Sequence, residues 1–133
     1  MIFLDSSFLI SFEVEKDSNH VKAVKIMHDI LNHKYGSPVI SDYIFDETVT
    51  MTLAKTDLKK AIAAGKGMKM SYEMKKIDER LFEESWKTFA DQIKTRLSFT
   101  DCTIISLMRE KGIRNIATFD EDFKKIETVN VIS

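Results

Sequence analysis

The chain has 133 residues, 44% hydrophobic and 31% charged, with a formal net charge of −1. That is enough apolar mass for one domain, expected over residues 1–133, and it excludes a globally basic nucleic-acid binder while leaving a local basic surface open. Cys102 is the only cysteine, which excludes an intrachain disulfide and a cysteine-based zinc site.

Met1 to Leu4 is apolar throughout and reads as a short buried strand that stops at Asp5. This run is too short for a signal peptide, and no window approaches the roughly 18 apolar residues of a membrane span. A soluble, cytoplasmic protein with no membrane partner is expected. Phe8 to Glu13 continues as a helical turn. Asp17, Ser18 and Asn19 offer N-caps for a helix over roughly 18–33. Its expected apolar face is Val21, Val24, Met27 or His28, and Leu31. Gly36-Ser37-Pro38 breaks the chain, and Val39-Ile40 forms a second strand.

Ser41 or Asp42 can cap a helix over roughly 42–55, with Ile44, Glu47, Thr48, Met51 and Ala54 in its apolar pattern. Leu58 to Ala64 is helical and Gly65-Lys66-Gly67 is expected to interrupt it. Residues 68–77 fit a helix end, a loop or a short strand. Asp78 caps an amphipathic helix with Leu81, Phe82, Ser85, Trp86, Phe89 and Ile93 on one stripe. Ser98-Phe99-Thr100-Asp101 has the form of a capping box for a helix ending near Lys111, with Gly112 just past it. Asn115 to Phe119 and Thr128 to Ile132 complete the predicted strands. Strands alternating with helices imply an α/β domain with a mostly parallel sheet.

Four acids stand in apolar company: Asp5, Glu47, Asp101 and Asp120. Asp5 and Asp120 lie at carboxyl ends of strands, the edge where open parallel sheets bind ligands. Each acid has a plainer reading. Asp5 can cap the following turn, Asp101 can serve its capping box, and Asp120 can form a turn. Glu47 is predicted to sit on the buried stripe of its helix. At ~4 Å and an effective dielectric of ~20, a pair of carboxylates repels by about 4 kcal/mol, a cost that a divalent cation removes. His20, His28 and His33 fall along one predicted helix, and surface or partly buried roles suit them better than a metal site.

The segments Phe3-Leu4-Asp5-Ser6-Ser7, Ser41…Glu47, Leu97-Ser98-Phe99-Thr100-Asp101 and Ile116-Ala117-Thr118-Phe119-Asp120-Glu121-Asp122-Phe123 occur in that order. In this the chain resembles PIN-domain ribonucleases, and more narrowly the VapC-like toxins of toxin–antitoxin pairs. The resemblance implies a three-layer α/β/α fold and a metal-dependent endoribonuclease leaving a 5′-phosphate and a 3′-hydroxyl. It implies that Asp5, Glu47, Asp101 and Asp120 form the catalytic cluster and hold Mg²⁺ or Mn²⁺, with Asp122 auxiliary and Ser6 and Thr118 supporting the site. Hard carboxylate oxygens suit those ions. It further implies an RNA substrate, a homodimer and a small antitoxin that lays an apolar segment near the acids, with Met68, Met70 and Met74 as candidate contacts. Cys102 follows the third acid and is open to oxidation if it faces a metal.

Arg96, just upstream of Asp101, is the best candidate to bind the RNA backbone. Trp86 is assigned to a core or an interface rather than to base stacking. The alternative function is a PIN-like scaffold that binds RNA or protein without cutting. A phosphatase of the haloacid dehalogenase type would need an Asp where Ser7 stands. A phosphoacceptor receiver domain would need an acidic pair and a late lysine that are not visible.

Overall fold

The computed structural model describes residues 1–133. Five short strands form one sheet in the order β3-β2-β1-β4-β5, and every neighbouring pair is parallel. They are β1 (Ile2–Leu4), β2 (Pro38–Ser41), β3 (Glu73–Lys75), β4 (Asn115–Ala117) and β5 (Asn130–Ile132). The helices are α1 (Ser6–Glu13), α2 (His20–Leu31), α3 (Asp42–Lys55), α4 (Leu58–Ser71), α5 (Glu79–Ala90) and α6 (Phe99–Lys111), with a 3₁₀ turn at Glu121–Lys125.

The chain winds outward from β1 in both directions. Right-handed crossovers then place α1 to α4 on one face of the sheet and α5 with α6 on the other. Helix contacts follow that division, since α1 packs on α2 and α3, α3 on α4, and α5 on α6. The result is a sheet between two helical layers. β1 lies between the two halves, so its carboxyl end and that of β4 flank the switch point where a crevice opens. Central strand β1 is wholly buried, which explains its unbroken apolar run. It anchors a 23-residue core that includes Phe3, Phe8, Ile40, Ile104 and Phe123.

Several local expectations change. The segment 68–77 divides between the end of α4 and strand β3, which adds a fifth strand. α4 runs unbroken through Gly65 and Gly67. Gly65 is small because it packs on α3, where an added Cβ would lie 3.2 Å from Val49 Cγ1. Gly36, at φ 86°, turns the chain so tightly under Met1 that a Cβ would lie 2.7 Å from the Met1 nitrogen.

Two predicted apolar faces are also displaced. α2 buries Ala23, Met27 and Ile30, while Val21, Val24 and Leu31 are exposed. α5 buries only Leu81 and Ser85, leaving Phe82, Trp86 and Phe89 open, with Ile93 exposed beyond its end. The reason is geometric. Each helix buries only a narrow strip, Ala23, Met27 and Ile30 on α2 and Leu81 with Ser85 on α5, so its remaining apolar residues point outward. Met68 is buried and Met74 packs against the core, so of the three methionines proposed as partner contacts only Met70 is free.

A Cβ added at Gly67 would meet nothing within 4 Å. Gly67→Ala is therefore expected to stabilise the protein by about 1 kcal/mol, the helix-interior difference between the two residues. Thermal unfolding checks this, and an unchanged or lowered midpoint would contradict a continuous α4.

Candidate active site

The end of β1 is tied to β4 by the Asp5 amide, which donates to the Ala117 carbonyl at 3.0 Å. This puts the Asp5 side chain, 4% exposed, at the switch point. As N-cap of α1, its Oδ1 accepts from the Ser6 amide at 2.8 Å. Its Oδ2 accepts from the Ser7 hydroxyl at 2.8 Å and from the Thr118 hydroxyl at 2.6 Å. Burial nevertheless raises the Asp5 pKa, against the lowering effect of the Thr118, Ser7 and Ser6 hydrogen bonds, and the charge of Asp120 pushes the same way as burial.

Ser7 and Thr118 then reach from Asp5 toward Asp120. Ser7 Oγ accepts from the Phe119 amide at 3.0 Å, and Thr118 Oγ1 accepts from the Asp120 amide at 3.0 Å. Two hydroxyls thus set the loop bearing Asp120 against the end of β1. Asp120 caps the 3₁₀ turn, with Oδ1 accepting from the Asp122 amide at 2.9 Å.

Asp101 enters from α6. Its capping box is complete: the Ser98 amide donates to Asp101 Oδ2 and the Asp101 amide to Ser98 Oγ, both at 3.0 Å. Capping does not exhaust its role. Burial chiefly, then the nearby charges of Asp5 and Asp120, lift its pKa to about 6 against the opposing Ser98 hydrogen bonds. Three acids from three elements therefore feel one another.

Glu47 joins through Ser6, whose hydroxyl donates to Glu47 Oε1 at 3.0 Å and lies 3.5 Å from Asp5 Oδ1. It is exposed, not on the buried stripe that the helical pattern predicts. The buried stripe of α3 is Ile44, Thr48 and Thr52, so Glu47 stands at the rim. Asp122 is ion-paired with Lys125 at 2.9 Å and takes no part in the hydroxyl network. Arg96 is exposed and has no ion-pair partner.

No three of these side chains stand close enough to share one metal ion as they are placed. Amide caps at Asp5, Asp101 and Asp120 hold the carboxylates at the ends of their own elements. The donor set is nonetheless wholly hard oxygen, which fits Mg²⁺ or Mn²⁺. The histidines are dispersed: His20 Nδ1 lies 2.9 Å from the Ser11 carbonyl, and His28 contacts Asn32. Cys102 is buried in the core, and burial pushes its thiol up to about 11, so it is shielded from the oxidation its position suggests. Ser7 is the site residue that the sequence pattern underrates. Its place two residues after Asp5, on the first turn of α1, is the signal that could have found it.

A parallel sheet with carboxylates at the ends of its central strands is an open α/β frame whose switch point can carry hydrolytic chemistry. The chain matches the PIN domain family over residues 2–129 and belongs to that family. Among curated proteins it is similar to the 23S rRNA-specific endonuclease VapC20 of Mycobacterium tuberculosis, 28% identical with 98% of each chain covered. The crystal structure of that protein, a sarcin–ricin loop cleaving toxin, superposes with a TM-score of 0.86 at 25% identity, covering 96% of this chain and 95% of the other. A toxin–antitoxin complex from Klebsiella pneumoniae (TM-score 0.67, 14% identity, 100% and 97% covered) and FitAcB from Neisseria gonorrhoeae (0.68, 16%, 100% and 97%) share the fold.

The raised pKa of Asp101 has a definite sign. The folded state holds the Asp101 proton up to about pH 6, whereas the unfolded chain releases it near 3.8. Without metal, this group's contribution therefore favours folding most at low pH and is lost as pH rises from about 4 to about 6. Calorimetric unfolding across that window is expected to show a weaker decline in Asp101→Asn than in wild type. Equal declines would contradict the raised pKa.

Proposed function

We propose that this chain is a metal-dependent endoribonuclease and the toxin of a toxin–antitoxin pair. The supporting observation is the assembly of Asp5, Asp101 and Asp120 at the switch point, with Glu47 linked to Asp5 through the Ser6 hydroxyl. The similarity to an rRNA-specific endonuclease over nearly the whole chain supports the same reading.

Asp5, Glu47, Asp101 and Asp120 would hold Mg²⁺ or Mn²⁺, which when bound supplies an activated water and charge neutralisation at the phosphodiester. The chain's own groups prepare that site. Ser7 and Thr118 fix the Asp5 carboxylate and the Asp120 loop together, and Ser6 orients Glu47. Asp122 serves as an auxiliary acid only once released from Lys125. Arg96 is assigned to the RNA backbone. We assign the protein to the cytoplasm on the strength of that RNA substrate; no helix is long and apolar enough to cross a membrane.

Two exposed apolar surfaces support the expected partners. α5 presents Trp86, 54% exposed and stacked on Phe89 at 5.8 Å, beside Phe82 and Phe99; this aromatic face is assigned to a second copy. The groove between α3 and α4, lined by Phe45, Val49, Leu53, Leu58 and Ile62, suits an apolar antitoxin segment. Large exposed apolar patches of this kind mark association surfaces.

The separation of the carboxylates favours one second reading, a PIN scaffold that binds without cutting. One experiment decides between them. A labelled structured RNA is expected to be cut only with Mg²⁺ or Mn²⁺, with Asp5→Asn and Asp101→Asn each slowing cleavage at least ~100-fold, no less than the upper end of the loss when a mere outer-shell partner of a ligand is removed. Intact RNA together with no Mn²⁺ binding would establish the scaffold. In the same preparations Glu47→Gln is expected to weaken Mn²⁺ binding by calorimetry while leaving the metal-free melting temperature unchanged or higher. A large fall in that temperature would make Glu47 a structural carboxylate.

A further inference from the structure

Two grooves, one on the α3 side and one on the α6 side, differ in charge. On the α3 side a groove of about 520 Å³ is lined by Asp42, Asp46 and Glu47 with Tyr43 and Thr100, and no cation borders it. On the α6 side a groove of about 710 Å³ is bordered by Lys87, Lys94 and Arg109. A smaller groove of about 220 Å³ continues it, sharing Ile105 and Arg109 and adding Arg114. All four cations are exposed and none is in an ion pair. Of the two acids on this side, Glu84 is already paired with Arg80 at 3.0 Å, which leaves Asp91.

We propose that the RNA strand leaves the acidic site along α6, its phosphates held by Lys94, Lys87, Arg109 and Arg114, and does not lie over the α3 flank. The inference rests on the nuclease reading and adds to it the path of the substrate. Position supports the path. The larger groove is bordered by Leu97 and Ile126, which adjoin the segments bearing Asp101 and Asp120. Arg109 lies eight residues beyond Asp101 on one helix, about 12 Å along its axis at 1.5 Å per residue. A strand cut at the carboxylates would meet Arg109 first, whereas Arg114, just before β4 at the amino-terminal edge of the sheet, lies farther along the same path.

Rigidity supports it as well. The loop carrying Lys94 is clamped by Gln92, whose Oε1 accepts from the Leu97 amide at 2.7 Å and the Thr95 hydroxyl at 2.9 Å. Gln92 Nε2 donates to the Leu97 carbonyl at 3.0 Å. Lys94 is thus presented from a preorganised loop, which lowers the ordering cost of binding. The same layout explains how a chain of net charge −1 can grip a polyanion, because the cations are gathered on one flank.

The test uses Asp101→Asn as a cleavage-silent parent, a fluorescein-labelled RNA hairpin with single-stranded flanks, and anisotropy in Mg²⁺ over a range of salt. Adding Lys94→Glu and Arg109→Glu is expected to weaken binding at least ~10-fold. It should also flatten the log–log salt slope by about 1.4, for two lost single-strand phosphate contacts. Lys22→Glu with Lys25→Glu on α2, across the sheet, makes the same change in net charge and is expected to leave both quantities unchanged. Equal weakening by the two pairs, no weakening by the first, or no binding by the parent overturns the path. Metal-dependent cutting by the wild-type chain reports separately on the nuclease reading, which stands or falls by that result alone.

Discussion

The structure turns on one buried carboxylate. Asp5 is almost without solvent, yet its two oxygens receive the Ser6 amide and the hydroxyls of Ser7 and Thr118. Removing a charge from water costs far more than a neutral group's burial, so such a carboxylate persists only where donors meet it. Here those donors come from α1 and from the end of β4, and meeting Asp5 brings the two halves of the sheet into register. The same hydrogen bonds that make Asp5 tolerable also set Asp120 across from it.

That arrangement stops short of neutrality. Three hydrogen-bond donors do not cancel burial at Asp5, and Asp101 carries the repulsion of both neighbours in a pKa of about 6. Strongly perturbed acids in a crevice are characteristic of functional sites, because a fold selected for stability alone would replace them. The amide caps on Asp101 and Asp120 hold each acid at the end of its own element. A divalent ion held there, as we propose, would relieve that repulsion, and the cationic flank along α6 gives a polyanion a route to the site that avoids the acidic groove beside α3.

Much of this is legible in the sequence, and the failures have physical causes. The unbroken apolar run before Asp5, the capping box at Ser98–Asp101 and the alternation of strands with helices are local patterns, and the fold reproduces them. Periodicity places Ile44 and Thr48 correctly but misplaces Glu47, because it counts Met51 and Ala54 as core whereas α3 buries Thr52. Hydrophobicity alone does not turn Thr52 inward ahead of Met51. α5 buries only Leu81 and Ser85 of its predicted stripe and leaves the aromatics of that stripe for another surface. Gly65 has the look of a breaker but is a packing residue, a difference that depends on α3 being opposite. The cations of the α6 flank come from separate elements, so no window of sequence contains them together.

The most direct measurement is anomalous scattering from a crystal grown with Mn²⁺. A manganese peak is predicted beside the Asp5 carboxylate, with the side chains of Asp101 and Asp120 turned toward it from their caps. A fully occupied crystal with no peak in that crevice, and with those caps unchanged, would contradict a site shaped for a divalent ion.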